Sequence, residues 1–355
     1  MNRGVPARLD EGPFWTGELE YRLPESSIAQ VPAPRRERSR LMVVDRSSGH
    51  VEHAVFADIA RYLPPRALLV ANDSKVIPAR LRGRKRGSGG AVEALLLETG
   101  LGSVARAMVR VAKPLHAGQV IDFAGGVAAS VASRPERGRV SLDFAPLTVA
   151  EVLARCGELP LPPYIERDSG PTDQDRERYQ TVYADSPGSV AAPTAGLHLT
   201  EQLIAELAGS GFEFATITLH VGPGTFTPVR GDVASHQMEE ERFEISESVA
   251  GRIEAARRAG RPVVAVGTTT VRALESAART NCTVTPGTGS SRLFIRPGHR
   301  FQVVDALVTN FHLPGSTLLA LVMAIAGRDG IRHAYEIAVR EGYRFYSYGD
   351  AMLIR

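Results

Sequence analysis

Short apolar runs alternate with amphipathic segments along the second half of the chain. Residues 215–221, Val263–Val266 and 303–309 are apolar runs bounded by turn residues, a pattern typical of buried strands. Helical patterns follow the last two runs, and each begins at a Thr or Ser that can cap a helix. Strands that alternate with helices in this way predict a mainly parallel sheet.

The pattern changes between about residues 75 and 154. Short pieces rich in Val, Ala and Leu, such as 104–111 and 119–123, are separated here by Gly, Pro and Ser. Strands of this length and spacing favour a small β-barrel or sandwich. Apolar runs at 41–45 and 67–71 precede this region, and as strands they need partners from the later α/β part.

The predicted fold class is therefore α/β, with two domains. A mainly parallel sheet domain, formed by residues 19–74 and 155–355, is split in sequence by an inserted small β-barrel domain at 75–154. Residues 1–18 are rich in Gly, Pro and charge and show no periodicity, so we expect a loose N-terminal extension.

Composition adds a few constraints. The 355 residues are 43% hydrophobic and 23% charged, which is ordinary for a globular protein. Cys156 and Cys282 have no paired spacing, so we expect neither a disulfide framework nor a zinc motif, and a cytoplasmic location follows. The longest apolar stretch, 318–326, is too short to span a bilayer, so we expect no membrane partner and interpret it as a buried helix.

Three histidines occupy similar places in this pattern. His198 precedes an apolar-periodic run, His220 ends the run at 215–221, and His312 lies between the run at 303–309 and a helical pattern. The strand ends of open α/β sheets are where ligands bind, and imidazoles gathered there suit proton transfer near neutral pH. A metal site is the less favoured alternative, because their spacing matches no ligand motif. For any one of them, a hydrogen-bonded core histidine is the simpler interpretation.

A Gly-Thr-Thr-Thr sequence at residues 267–270 follows the strand Val263–Val266. Its glycine allows a ligand to approach the backbone, and its hydroxyls lie beside the free amides of a helix start. An ordinary threonine-capped helix explains the sequence equally well. Neither a dinucleotide fingerprint nor a P-loop is present.

Two Arg-rich clusters and one aromatic segment are further candidates for ligand contact. Net charge is only +3, but five cations occupy residues 80–86 and four occupy 35–40. Such clusters suit nucleic-acid phosphates, although a solvated surface explains them nearly as well. The segment 342–354 holds four aromatic rings that can stack on a base or lie in the core as an edge strand, and Asp350 within it is a ligand candidate.

Taken together, these segments resemble the S-adenosylmethionine:tRNA ribosyltransferase-isomerase family of queuosine biosynthesis. The similarity runs in family order from about Leu19 to the end of the chain. The matching stretches are 39–46 (SRLMVVDR), 72–85 (NDSKVIPARLRGRK), 159–165, 175–184, 191–198 (AAPTAGLH), 219–228 (LHVGPGTFTP), 267–276 (GTTTVRALES), 303–319 (VVDALVTNFHLPGSTLL) and 342–354.

The resemblance implies a reaction. The ribosyl group of S-adenosylmethionine is transferred and isomerised onto the aminomethyl-7-deazaguanine wobble base of a tRNA, which gives epoxyqueuosine and releases adenine and methionine. S-adenosylmethionine is then a substrate, no metal or further cofactor is implied, and tRNA is the partner. We expect a monomer. The family's two-domain architecture agrees with the predicted inserted barrel.

This chemistry predicts roles for the candidate residues. A base must remove the C5′ proton beside the sulfonium, adenine needs a proton to leave, and the opened sugar develops oxyanions. We expect the three histidines to divide the proton transfers, and the hydroxyl and amide groups to donate to the sugar. The candidates are His198, His220 and His312 for proton transfer; Thr268, Thr269, Asn310 and Tyr348 for substrate contact; Asp305 or Asp350 for a ribose hydroxyl or the sulfonium; and Arg80, Arg82, Arg84 and Lys85 for tRNA phosphates.

Some positions depart from the family's usual pattern and keep other functions open. Gln237 and Glu239 stand where Lys and His are usual, and Gly315 stands where Lys is common. The changed charge motivates an alternative, an enzyme of the same scaffold that acts on a free small molecule or nucleoside. A non-catalytic RNA-binding protein is a third hypothesis, and a metal-dependent hydrolase is a distant fourth.

Overall fold

The computed structural model describes residues 14–97, 102–133, 136, 138–226, 229 and 233–355. Residues 1–13, most of the predicted extension, lie outside this part of the chain. Contacts among the residues divide the chain into two compact units. The sheet unit holds the chain through Ser74, Gln180–Ser186 and Pro193–Arg355, and the barrel unit holds Lys75–Tyr179 and Pro187–Ala192.

Strands and helices both contribute to the described residues. The strands are β1 (Arg40–Val44), β2 (Val51–Val55), β3 (Leu68–Asn72), β4 (Ser74–Val76), β5 (Arg80–Lys85), β6 (Ala91–Leu96), β7 (Val104–Val111), β8 (Val120–Phe123), β9 (Ala128–Val131), β10 (Arg139–Asp143), β11 (Ser186–Ser189), β12 (Glu213–Leu219), β13 (Glu241–Ile245), β14 (Val263–Val266), β15 (Gly287–Ser291), β16 (Ala306–Asn310) and β17 (Ala351–Ile354). The α-helices are α1 (Val149–Cys156), α2 (Asp173–Arg178), α3 (Glu201–Gly209), α4 (Glu247–Arg258), α5 (Thr268–Ser276), α6 (Thr317–Ala326) and α7 (Arg328–Arg340).

Nine of the described strands form one sheet in the order β15-β13-β12-β3-β14-β16-β17-β1-β2. The four adjacent strands β12, β3, β14 and β16 run parallel to one another, as the alternating pattern predicts. Pairings outside this core are antiparallel, except for β17 with β1, so the sheet is mixed. The β1–β2 pair shows why: a tight turn joins the two strands, and Asp45 Oδ1 accepts from the amides of Ser47 and Ser48 there.

The centre of this sheet is apolar on both faces. Every residue of β3, β14, β16 and β17 is buried, because helices cover a parallel core on both sides. β17 lies between β16 and β1, so the C-terminal strand is internal and not the edge strand that the sequence suggested. α6 is buried along nearly its whole length, and no helix in the described residues is long and apolar enough to cross a membrane.

The barrel unit contains a closed antiparallel barrel in the order β10-β7-β6-β5-β8-β9, which confirms the predicted barrel. Gly83 allows β5 to approach β8, since a Cβ there would lie 2.5 Å from the carbonyl oxygen of Asp122. The unit continues past residue 154 because α1 contributes Val149 and Val152 to the barrel core, and Glu158 pairs with Arg80 of β5.

Residues 14–18 belong to the sheet unit and are not a loose extension. A short turn spans Thr16–Leu19, and the Glu18 carboxylate lies 3.0 Å from the Arg328 guanidinium. Both side chains are largely buried, which fixes this segment against α7.

Candidate active site

Polar residues gather at one edge of the sheet. The carboxyl ends of β12, β3, β14 and β16 meet at this edge because these strands are parallel. β17 is antiparallel to β16, and β1 is parallel to β17, so the amino ends of these two strands lie at the same edge. The polar residues placed there are Ser39, Asn72, Asp73, His220, Thr268, Thr269, Thr309, Asn310, His312 and Asp350.

His198 is buried and has polar contacts on both ring nitrogens. Its Nδ1 lies 2.8 Å from Ser39 Oγ, and its Nε2 lies 3.1 Å from Asn310 Nδ2. The same amide nitrogen donates to the carbonyl oxygen of Tyr346 at 3.1 Å. The imidazole also packs on the Phe56 ring, with 5.1 Å between centroids. The contact with Asn310, the last residue of β16, thus places His198 beside the end of that strand.

His312 follows β16 and is also buried. Its Nε2 lies 2.8 Å from Thr309 Oγ1, and its backbone amide donates to the Tyr335 hydroxyl at 3.0 Å. Tyr21 donates to its carbonyl oxygen. Burial lowers the pKa of His312 to about 3, so the imidazole is neutral at physiological pH. No hydrogen bond from the described residues reaches its Nδ1.

His220 lies on the same edge but farther along it. It follows β12, which is three strands from β16, so the lateral separation is roughly 14 Å at ordinary strand spacing. Neither ring nitrogen has a hydrogen-bond partner among the described residues, and Nδ1 is buried. Burial lowers the pKa of His220, and the nearby Asp73 carboxylate opposes this shift. The structure therefore groups His198 with His312 and sets His220 apart from them.

Asn72 joins the end of β12 to the start of α5, and the sequence analysis did not single it out. Its Nδ2 donates to the carbonyl oxygen of Leu219 at 2.9 Å and to Thr269 Oγ1 at 3.3 Å, while its Oδ1 accepts from the Leu219 amide. An amide directly after the apolar run 67–71 was the available signal. Thr268 and Thr269 are buried in the first turn of α5, which begins after Gly267 at φ +96°.

Glu241 and Arg272 are a second pair that sequence reasoning missed. They form a buried ion pair between β13 and α5, and their side chains are 2% and 3% exposed. Glu241 Oε1 also accepts from the Gly222 amide at 3.2 Å. This contact holds the loop that follows His220. The two residues are 31 positions apart in sequence, and no local pattern signals that they pair.

The two aspartates and Tyr348 have structural contacts. Asp350 uses both oxygens on backbone amides, those of Arg40 at 2.9 Å and Arg344 at 2.8 Å. Tyr348 is buried, and its carbonyl oxygen accepts from the Arg344 guanidinium. Asp305 precedes β16 and so lies at the opposite edge of the sheet, which separates it from the histidines.

At that opposite edge Asp305 has partners of its own. It lies 2.8 Å from Arg257 Nη1 and accepts from the Val263 amide at 2.7 Å. These contacts stabilise the start of β14 and β16, and they hold the Asp305 carboxylate away from the strand ends where His220 and His312 lie.

The four predicted tRNA contacts lie on β5 of the barrel unit but do not share one face. The period of two puts Lys85 on the other face, where it is buried and its Nζ donates to the Lys113 carbonyl oxygen at 2.5 Å. Arg80 donates to the Leu161 carbonyl oxygen, and Arg82 lies 3.3 Å from Glu158. Arg84 is exposed and donates to a neighbouring carbonyl oxygen at 3.1 Å.

No group of three or more His, Cys, Asp or Glu side chains in the described ranges has an arrangement that could hold a metal ion. The polar edge instead offers two neutral imidazoles, at His220 and His312, with amide and hydroxyl groups between them. Such groups suit acid–base chemistry and hydrogen bonding to a sugar.

Acid–base groups at the carboxyl ends of parallel strands are typical of α/β enzymes, and ligands of such sheets generally bind at the strand ends. In this chain the α/β unit is interrupted in sequence by a β-barrel unit. The family model described as "Queuosine biosynthesis protein" matches residues 16–354. The chain therefore belongs to the queuosine biosynthesis protein family, which confirms the resemblance seen in its motifs.

Curated relatives are similar over nearly their whole length. The S-adenosylmethionine:tRNA ribosyltransferase-isomerase of Anaeromyxobacter dehalogenans strain 2CP-C is 52% identical over 95% of this chain and 98% of the relative. That of Sorangium cellulosum strain So ce56 is 49% identical over 95% of this chain and 97% of the relative. The crystal structure of the S-adenosylmethionine tRNA ribosyltransferase of Thermotoga maritima is 36% identical, with a TM-score of 0.54, and covers 95% of this chain and 100% of its own.

Proposed function

We propose that this chain transfers and isomerises the ribosyl group of S-adenosylmethionine onto the aminomethyl-7-deazaguanine wobble base of tRNA, giving epoxyqueuosine, adenine and methionine. The observation that carries the proposal is the near full-length similarity to relatives that are named for this activity. A cytoplasmic location is part of the proposal, because the enzyme must meet its tRNA substrate there. The monomeric state stays an expectation.

His220 is the proposed base that removes the C5′ proton beside the sulfonium. Its unpartnered ring nitrogens and its lowered pKa support this role, since an unprotonated imidazole with a free lone pair accepts a proton directly. Asn72 and Glu241 support the position of His220 through the backbone on its two sides, at Leu219 and Gly222.

Two further groups are proposed to stabilise the opened sugar. Asn72 Nδ2 can only donate, so Thr269 Oγ1 accepts from it and keeps its own hydrogen for a developing oxyanion. His312 is neutral and leaves Nδ1 for a hydrogen bond with the sugar or adenine. Thr268 stays a candidate at the same helix start. S-adenosylmethionine is the substrate, and the proposed steps use only groups of the chain.

Mass spectrometry of the products tests the function. Purified protein is incubated with S-adenosylmethionine and tRNA that carries the precursor base, and adenine release is measured with and without the tRNA. We expect epoxyqueuosine in the tRNA and adenine release that depends on it. Adenine release that instead requires a free deazapurine or nucleoside would support the alternative that Gln237, Glu239 and Gly315 motivate.

A further inference from the structure

We infer that Asn310 presents its side-chain oxygen to a hydrogen-bond donor of the bound nucleoside, and that His198 positions this amide and does not carry a proton. This inference rests on the proposed function and names two roles within it. It differs from the expectation that Asn310 donates to the substrate and that His198 shares in the proton transfers.

The orientation of the Asn310 amide is fixed by a backbone carbonyl. A carbonyl oxygen can only accept, so the side-chain atom 3.1 Å from Tyr346 O must be the nitrogen. That nitrogen is also 3.1 Å from His198 Nε2. Both amide hydrogens are therefore in use, and the atom of Asn310 that remains for a ligand is an acceptor.

The same argument fixes the tautomer of His198. Since Asn310 donates to Nε2, this nitrogen carries the lone pair and Nδ1 carries the hydrogen. Nδ1–H donates to Ser39 Oγ at 2.8 Å, and Ser39 in turn donates to the carbonyl oxygen of Arg36 at 3.3 Å. The chain of donors ends at a group that cannot pass a proton on. His198 is thus neutral, with its lone pair and its hydrogen both occupied.

The oxygen of Asn310 is left without a partner in a buried place. Asn310 is 2% exposed, and its Oδ1 has no hydrogen bond with any described residue. A buried acceptor without a donor is unfavourable, and native proteins rarely keep one without a reason such as ligand binding. Asn310 ends β16 at the edge where His312 lies, so a donor on a bound nucleoside would satisfy it.

S-adenosylmethionine offers three donors on its nucleoside part. These are the ribose 2′-hydroxyl, the ribose 3′-hydroxyl and the adenine amino group, whereas the adenine ring nitrogens and the sulfonium only accept or carry charge. The proposal therefore predicts that removal of one of these three groups weakens binding to the wild-type chain, and that Asn310 is the reason.

Calorimetry with substrate analogues tests the role of Asn310. The dissociation constants of S-adenosylmethionine and of its 2′-deoxy, 3′-deoxy and 6-deamino analogues are measured for the wild type and Asn310→Ala. We expect one analogue to bind the wild type about 10- to 100-fold more weakly, and Asn310→Ala to lose that discrimination to within about threefold. Asn281→Ala, at an exposed loop position, is the matched control and keeps the wild-type pattern.

Two results overturn this part of the inference in distinguishable ways. If the wild type binds S-adenosylmethionine and Asn310→Ala keeps the full discrimination among the analogues, the role of Asn310 is wrong and the proposed function stands. If the wild type does not bind S-adenosylmethionine at all, both are wrong.

Steady-state kinetics of His198→Gln and His198→Ala test the positioning role. Glutamine offers an oxygen near the place of Nε2 to accept from Asn310, but it cannot carry a proton. We expect His198→Gln to keep kcat within about tenfold with an unchanged pH profile, and His198→Ala to raise KM more than it lowers kcat. A proton carrier would lose about 10²–10⁴-fold in kcat with either substitution, and that result overturns the positioning role.

Ser39→Ala keeps the test decisive if the His198 variants fold poorly. It removes the acceptor of Nδ1–H and leaves the imidazole in place, so we expect a several-fold rise in KM and no change in the pH profile. A loss of the ionisation that governs kcat in this variant would contradict the inference. His50→Gln, at an exposed turn, is the control for both histidine substitutions.

Discussion

The ends of β16 and β12 lie on the same edge of the sheet, and each bears a histidine site of a different kind. At the β16 end, His198 has polar contacts on both ring nitrogens, and they tie it to Ser39 and Asn310. At the β12 end, His220 has no hydrogen bond to either ring nitrogen from the described residues. Similar loops can thus engage both nitrogens of one imidazole and leave those of another without a hydrogen bond from the described residues.

The largest expected effect is at the β12 end. His220→Ala removes the proposed base. We therefore predict that the single-turnover rate constant of adenine release falls by about 10²–10⁴-fold. His50→Ala is the control and keeps wild-type turnover. Turnover within a few-fold of wild type for His220→Ala would show that the free imidazole is not the base.

The buried ion pair of Glu241 and Arg272, which supports the loop after His220, should have a large effect on stability. Arg272→Met leaves Glu241 as a buried charge without its partner, so we predict a loss of about 3–5 kcal/mol in the free energy of unfolding. Glu241→Gln/Arg272→Met removes both charges, and we expect it to recover much of that loss. Denaturant unfolding measures the three proteins, and equal stabilities for the single and double variants would contradict the account.

At the β16 end, the pH dependence of stability reports on the burial of His312. Burial lowers the pKa of His312 from its ordinary value of 6.5 to about 3, so the folded state binds fewer protons than the unfolded state between these values. Stability from this group is present above pH 6.5 and is lost as pH falls toward 3, by up to about 1.4 kcal/mol per unit. Denaturant unfolding of His312→Gln should therefore show a shallower acid slope than wild type, and an identical slope would oppose this assignment.

The smallest expected effect is on tRNA affinity and its salt dependence, where Arg84 and Lys85 of the barrel unit should differ. Arg84 is exposed and Lys85 is buried, so Arg84→Glu should lower tRNA affinity and reduce the slope of log K against log salt by about 1. Lys85→Met should destabilise the barrel unit and leave that slope unchanged. Filter binding over a salt series measures both, and the opposite pattern would place the tRNA contact on Lys85.

Much of the fold could be predicted from local patterns, and the exceptions have physical reasons. β3 and β14 lie in continuous apolar runs, a pattern that predicts buried parallel strands. β15 (Gly287–Ser291) contains no apolar side chain and exists because it pairs with β13 at the edge of the sheet. β2 contains no fully buried residue and follows a turn, so its strand character also comes from its partner.

The site was less predictable because its contacts join distant parts of the chain. Ser39 and His198 are 159 residues apart in sequence, and Asn310 is another 112 residues beyond His198. Loop pattern alone could place three histidines at strand ends, but hydrogen-bond partners decide which imidazole is free. The spacing of Asp305 from β16 likewise gave no sign that it lies at the opposite edge, paired with Arg257.

The most direct test compares glutamine at the two histidines under one set of conditions. Single-turnover adenine release with precursor tRNA is measured for His220→Gln and His198→Gln beside the wild type. We predict a loss of at least about 100-fold for His220→Gln and of no more than about tenfold for His198→Gln. Equal losses, or the larger loss at His198, would contradict the proposed division between a base and a positioning residue.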